Sequence, residues 1–471
     1  MRMVVPGERA LNATALLAAA ALLTAFWLLG RRLSAALAAP GDGALFRGTL
    51  YGMAGAVVFH LVLTALDFAG VPWSAWLLAA LGAVLYGLAW RFLPPRPERA
   101  RLPSDLGWGD GLALFALAAA TLIALTAWIA TPDFVYHWGL KGARFHLARG
   151  VDYAWLARSW NWVIHPDYPN LLPETYAVTA LLAGGFDVPA MLLETAVLFA
   201  LLLAAAREGL RQGGADRFTR QAGVALVALA CGAFWIASLL PGGADGMIAL
   251  ALAAAVPPLL RPPDRVGDFQ IGAIAAFAAA SKTEGMPLAA FLILVQWGRR
   301  AWTGRRLEFG AALRTGLPAA VVILPWLART LHHRLFLEIN SGRFDPSRAG
   351  EIASTVLETL GAPSWHGFLA AMFLPPLLLA SRRARPFAGV ATLQLLFYFY
   401  AYFTIQAADQ TRAFILSNFA RLGYQLIPAS LVVALVVWLK SNRLENEKGG
   451  TAEQPRPRVE PENPPPISAA S

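Results

Sequence analysis

The twenty residues "GLALFALAAATLIALTAWIA", Gly111 to Ala130, run directly into "TPDFVYHWGLKGARFHLARG", Thr131 to Gly150. The first stretch carries no charge and, as a helix, is long enough to cross about 30 Å of hydrocarbon. The second sets Asp133, His137, Lys141 and Arg144 at steps of four, four and three, which is one face of a helix. Thr131-Pro132-Asp133 reads as the start of that helix. Threonine can cap, proline suits the first turn, and an acid favours the positive end of the dipole. Phe134, Trp138 and Phe145 fall off the polar face and suit the headgroup region. An interfacial helix whose polar face meets water would explain Arg144. For Asp133, at the membrane exit and beside aromatic rings, a functional role is the better reading.

The apolar block at Gly111 is one of many. The chain is 57% hydrophobic and 14% charged over 471 residues, where a soluble domain carries about 25% charge; its mean hydropathy is +0.52. Candidate spans fall at 11–30, 49–70, 73–92, 109–130, 188–206, 221–240, 246–260, 269–283, 286–298, 310–327, 365–380, 388–408 and 423–439. The expected fold is therefore all-α, a multi-pass transmembrane bundle of about 11–13 spans. A β-barrel would show alternating segments of ~10 residues instead. The net charge of +10 points to arginine-rich cytoplasmic loops rather than to nucleic acid. Cys231 is the one cysteine and excludes an intramolecular disulfide. The first run reads as a retained span, since no small-residue cleavage site precedes Arg31 and Arg32.

Five basic stretches orient the bundle: Arg31, Arg32 and Arg47; Arg91 to Arg101; Arg207 to Arg220; Trp297 to Arg306; and Ser381 to Pro386. All five share one side only if Leu171 to Gly185 does not cross. Its 15 residues, with Pro173 and Glu174, suit an interfacial or re-entrant helix. The division expected is 1–108 as N-terminal spans, 109–440 as a membrane core with a long extracytoplasmic loop at 131–187 carrying interfacial helices, and 441–471 as a disordered cytoplasmic tail. The N-terminus then falls outside.

That topology gathers chemistry on the outer side. "NWVIHPDYPNLLPETY", Asn161 to Tyr176, holds His165, Asp167 and Tyr168 between two turn-forming prolines. A rigid turn explains the prolines but not the ionisable pair. "PGGADG" brings Asp245 to a helix start, where capping is the plainer role. "SKTEG" breaks an apolar run with Lys282 and Glu284; charges near hydrocarbon are costly and are usually paired or functional. Arg412, Arg421 and Gln425 surround the last outer span entry, where snorkelling is the plain alternative. Acids for base work and cations for an anionic ligand thus share one rim.

These segments resemble the multi-pass, polyprenyl-phosphate-sugar-dependent glycosyltransferases of the GT-C fold class, such as protein mannosyltransferases and lipid A aminoarabinose transferases. The likeness is carried by Asp133 heading the first large outer loop, "HPDYPNLLPE" (His165 to Glu174), "GGADGMIALALA" (Gly242 to Ala253), "SKTEG" and "ARLGYQLIPA" (Ala420 to Ala429), and covers roughly residues 130–430. It implies a GT-C-like fold in the cell (inner) membrane with the active site outside. The implied reaction moves a sugar, with inversion, from a polyprenyl-phosphate donor to a glycan, lipid or protein acceptor. Asp133 would be the general base and Asp245 its support. Lys282, Arg421 or a loop arginine would neutralise the leaving phosphate, and His137, Lys141, His165, Asp167, Tyr168, Glu284 and Gln425 would line the substrate site. The sequence requires no cofactor, although Asp133, His137 and Asp245 could supply ligands to a divalent cation. Three candidate spans precede the loop-entering one, where the better-known members have one. The competing reading is a transporter or lipid flippase. It would need charges near the midplane, for which His60, Asp67 and Glu194 are the candidates.

Overall fold

The computed structural model describes residues 12–93, 104–126, 131–237, 242–304, 308–335, 342–362, 367–404 and 410–449. Among them the regular structure is helical throughout, and eight helices are long and apolar enough to cross a membrane. The first four long helices are α1 (Ala13–Arg32), α2 (Ala44–Phe68), α3 (Ala75–Phe92) and α4 (Trp108–Thr126). A polar segment follows, with α5 (Gly139–Ala148) and α6 (Leu171–Ala183). Then come α7 (Val188–Gln212), α8 (Arg217–Ala237), α9 (Asp245–Leu260), α10 (Arg265–Ser281), α11 (Gly285–Gly304) and α12 (Phe309–His332). The amphipathic α13 (Ala349–Leu360), α14 (Arg385–Phe403) and α15 (Thr411–Gly449) complete the order.

Local chemistry sets the helix starts. Asn12, Ser74, Asp187 and Asp264 each accept a bond from the backbone N–H three residues on. α1 and α2 meet through glycine, since a Cβ on Gly30 would stand 1.8 Å from the Tyr51 carbonyl oxygen and one on Gly55 would stand 1.8 Å from that of Phe26. Only small residues let helix backbones approach so closely in lipid. α9 is the centre: all its residues are buried, against α7, α10, α14 and α15. A helix apolar all round belongs in such a core.

The two ends of α9 define the two ends of the bundle, roughly 24 Å apart by helix rise. At its C-terminal end Arg261 binds Asp42 at 2.6 Å, Gln212 binds Asp42 at 2.9 Å, and Arg383 donates to the Gln212 carbonyl at 2.8 Å. Arg207 meets Asp105 and Asp110, Arg300 and Arg314 meet Asp268, and Arg32 lies 3.9 Å from the Trp90 ring centre. The described parts of all five basic stretches therefore converge on one end. The start of α1 lies at the other end, where Ala15 packs with Ala190 at the start of α7. The chain before residue 12 lies outside the described residues.

Several expectations change. The 365–380 span is not one helix: a 3-10 segment, Phe368–Phe373, leads into Leu374–Leu378, and Pro375 and Pro376 deny the backbone donors that a longer helix needs. The 171–185 segment, expected as an interfacial or re-entrant helix, is a 13-residue helix enclosed by protein rather than one with a polar face in the headgroups. Leu171 to Ala180 are all buried in protein, where Glu174 finds His60 at 2.6 Å and Thr179 finds Glu194 at 2.5 Å. Phe134, Trp138 and Phe145 are likewise core residues rather than headgroup anchors, because α5 packs on α6. α15 continues as helix to Gly449, nine residues into the segment expected to be disordered. The rest of that tail lies outside the described residues.

Candidate active site

Five separate stretches meet at the N-terminal end of α9. The chain enters from α4 with Thr131 capping: its hydroxyl accepts from the Phe134 N–H at 3.1 Å. Pro132 opens the helix and Asp133 follows it. A π turn, Phe134–Trp138, comes next, an element enriched at functional sites. Phe134 is fixed in turn by Gly242, whose missing side chain leaves room for the ring; a Cβ there would stand 2.4 Å from it. The loop of Asp133 and the loop of Asp245 are thus packed together.

Arg421, one turn before Gln425 on α15, joins the two acids. Its guanidinium donates to both oxygens of Asp133, one of them at 3.2 Å. It also donates to Asp245 from Nε at 3.1 Å and from Nη2 at 2.8 Å. The other oxygen of Asp245 takes Lys282 Nζ at 3.1 Å and Gln425 Nε2 at 2.6 Å. Lys282 also meets Glu284 at 2.9 Å. Asp245 is 1% exposed and makes no capping bond; its carboxylate serves the cluster. The "SKTEG" turn depends on Gly285, where a Cβ would stand 1.9 Å from the Ala278 carbonyl oxygen. Burial opposes charge on Lys282, but Asp245 and Glu284 beside it hold its pKa above the ordinary value.

A second layer joins this network at Tyr168. Lys282 Nζ lies 5.8 Å from the Tyr168 ring centre and Lys141 Nζ 5.7 Å from it. His165 stacks on Tyr168 at 4.5 Å, and His137 lies 5.0 Å from His165. Lys141 is fully buried and donates to the His165 carbonyl at 2.6 Å. His165 has a φ of 48°, a strained value for a non-glycine residue. Burial pushes His137 down to about 4 against the pull of Asp133, and pushes His165 further down, so both rings are neutral at pH 7. Burial also lowers Lys141 to about 7, opposed by Asp167, and raises Asp167 to about 6, opposed by Lys141.

All eleven site residues expected from the sequence therefore belong to one connected region. Arg144 turns away to Asp152 at 2.7 Å, and Arg412 pairs with Glu358 near the surface. Among the described residues no three His, Cys, Asp or Glu side chains converge as a metal-ligand set; the Arg421 guanidinium stands between the two carboxylates instead. The sequence reading missed Tyr398, which donates to Gln425 Oε1, Gln394, which donates to the Glu284 carbonyl at 3.1 Å, and Trp326, which donates to the Asp167 carbonyl at 2.9 Å. Gln394 was findable as a lone amide in the apolar α14 with Tyr398 one turn on. Nothing in the sequence marked Trp326.

No protein-family model, no curated protein and no solved structure matches the chain. Fold and composition define a multi-pass helical membrane protein.

Proposed function

We propose that this chain is an integral membrane glycosyltransferase of the GT-C kind. It would move a sugar from a polyprenyl-phosphate donor to a hydroxyl of a glycan, lipid or protein acceptor. The observation that carries this reading is the buried pairing of Arg421 and Lys282 with Asp133 and Asp245. It sets two fixed cations, suited to a phosphate, beside a carboxylate suited to a hydroxyl proton. The arginine-rich end faces the cytoplasm by the positive-inside rule, so the site faces outward, in the inner membrane.

The network is closed as it stands, since the cavity bordering Asp245 and Gln425 holds about 10 Å³, roughly one water. The donor phosphate enters by taking over Arg421. That exchange frees Asp133, whose two oxygens otherwise accept from the guanidinium. The acceptor oxygen then bonds to the anomeric carbon as the bond from that carbon to phosphate breaks. The electron pair leaves with the phosphate, onto Arg421 and Lys282, and the hydroxyl proton goes to Asp133. Asp245 positions both cations.

The test is transfer by the full chain in proteoliposomes, supplied with sugar-labelled polyprenyl-phosphate donors and an acceptor membrane extract. Label should pass to acceptor, and Lys282→Met should abolish transfer. Intact donor crossing the bilayer without cleavage would identify a flippase instead. The chemistry favours the enzyme: a carboxylate suited to a hydroxyl proton stands beside two cations suited to a phosphate.

A further inference from the structure

Tyr168 also borders a second cavity. Its walls include His60 from α2, Glu174 and Asn170 from the start of α6, and Trp326 and Arg329 from the end of α12. Two polar atoms there have no hydrogen-bond partner among the described residues: Asn170 Oδ1 and Arg329 Nε. Asn170 is 9% exposed and Arg329 8%. Asn170 stands at the N-cap of α6, where asparagine normally bonds the helix backbone, but its side chain makes no capping bond. Three of the other four N–H donors of Arg329 are engaged, by Tyr153 at 2.5 Å, the Thr64 carbonyl at 3.0 Å and Asp67 at 3.4 Å.

Leaving a buried donor and a buried acceptor unmade is costly, about 1–3 kcal/mol each. A hydroxyl, of a sugar or of water, has both capacities these atoms call for: it can accept from Arg329 Nε and donate to Asn170 Oδ1. The cavity holds about 20 Å³, which fits a hydroxyl or hydroxymethyl but not a phosphate. Charge argues the same way. Asp67 neutralises Arg329, and the Glu174 carboxylate, bonded to His60, repels an anion. The half-buried Trp326 indole, in the wall of the same cavity, supplies an apolar face for the ring of a sugar.

We infer that this cavity is a hydroxyl-recognising subsite for a neutral sugar, joined to the Lys282–Asp245 cluster through the shared Tyr168. The binding claim stands on the cavity alone. Its assignment to the acceptor rests on the transferase reading above. The experiment is ligand-observed saturation-transfer NMR on the full chain in nanodiscs. The probes are the methyl glycosides of glucose, mannose and arabinose, with inorganic phosphate as the anionic probe. At least one glycoside should show transfer, undiminished in Asp133→Asn and about fivefold weaker in Asn170→Leu, the loss of one hydrogen bond. Thr330→Val, an isosteric change in the same wall, guards against a folding defect in Asn170→Leu and should also weaken the signal. No glycoside signal in wild type would leave the cavity a site for water only and overturn the inference. So would a signal equal in Asn170→Leu, or binding of phosphate in place of the sugars. Because Asp133→Asn should bind normally while failing in transfer, loss of the enzyme reading and loss of this subsite give different results.

Discussion

The bundle has two polar ends, and they are built differently. At the arginine-rich end, buried carboxylates are met on both oxygens by groups of the protein. Asp42 accepts from Arg261, Gln212, Gln270 and the Ala39 N–H, and Asp268 from Gln296 and Arg314. At the other end Asp167 Oδ1, Asn170 Oδ1 and His137 Nδ1 are buried without partners among the described residues. The three described non-glycine residues with positive φ, Arg149, His165 and Arg334, all lie at that end. Unpartnered polar atoms occur at the arginine-rich end too, at Gln212 Oε1, Arg220 Nε and Trp297 Nε1. The ends differ in their carboxylates: Asp42 and Asp268 are satisfied on both oxygens, whereas Asp167 keeps one buried oxygen without a partner.

Breaking the comparison starts at Arg421. Arg421→Ala strips Asp133 of its cation and leaves Asp245 with Lys282 and Gln425 alone, so it should cost about 3 kcal/mol in unfolding free energy and remove transfer altogether. Asp42→Asn keeps its shape and loses charge at the other end. It should cost about 1–3 kcal/mol, read as a fall in Tm, with transfer per folded molecule unchanged. If Asp42→Asn also stops transfer in folded protein, the division of labour between the ends fails.

The pH response sharpens the contrast. His137 titrates at about 4 in the fold, below its ordinary 6.5. Between those values the unfolded chain binds more protons, so stability is lost as pH falls from about 6.5 towards 4. Asp167, raised to about 6, works in the opposite sense in both proteins, so the reading is the difference: Tm should change less favourably on acidification in wild type than in His137→Phe. The smallest effect is expected at the exposed Arg412–Glu358 pair. Glu358→Gln should change stability by under about 1 kcal/mol.

Much of the fold was legible because lipid imposes one rule, apolar helix of a set length, and because arginine marks one side. The basic connectors and the row Asp133, His137, Lys141 were readable for that reason, and the structure brings them together as their spacing suggested. Other features depend on protein-to-protein packing, which hydropathy does not record. α6 reads as interfacial because its polar residues look destined for headgroups, while His60 and Glu194, distant in sequence, satisfy them inside. Tyr398 and Trp326 read as ordinary span aromatics, since only the third dimension shows what their polar atoms touch.

The central claim is that the Asp133–Arg421 end does chemistry while the Asp42–Arg261 end holds helices. The direct measurement is donor-to-acceptor transfer per folded molecule in Asp133→Asn and Asp42→Asn, side by side. The account predicts a loss of about 10²–10⁴-fold in the first, with Tm little changed, and full activity in the second. Wild-type transfer by Asp133→Asn, or equal loss in both, would contradict it.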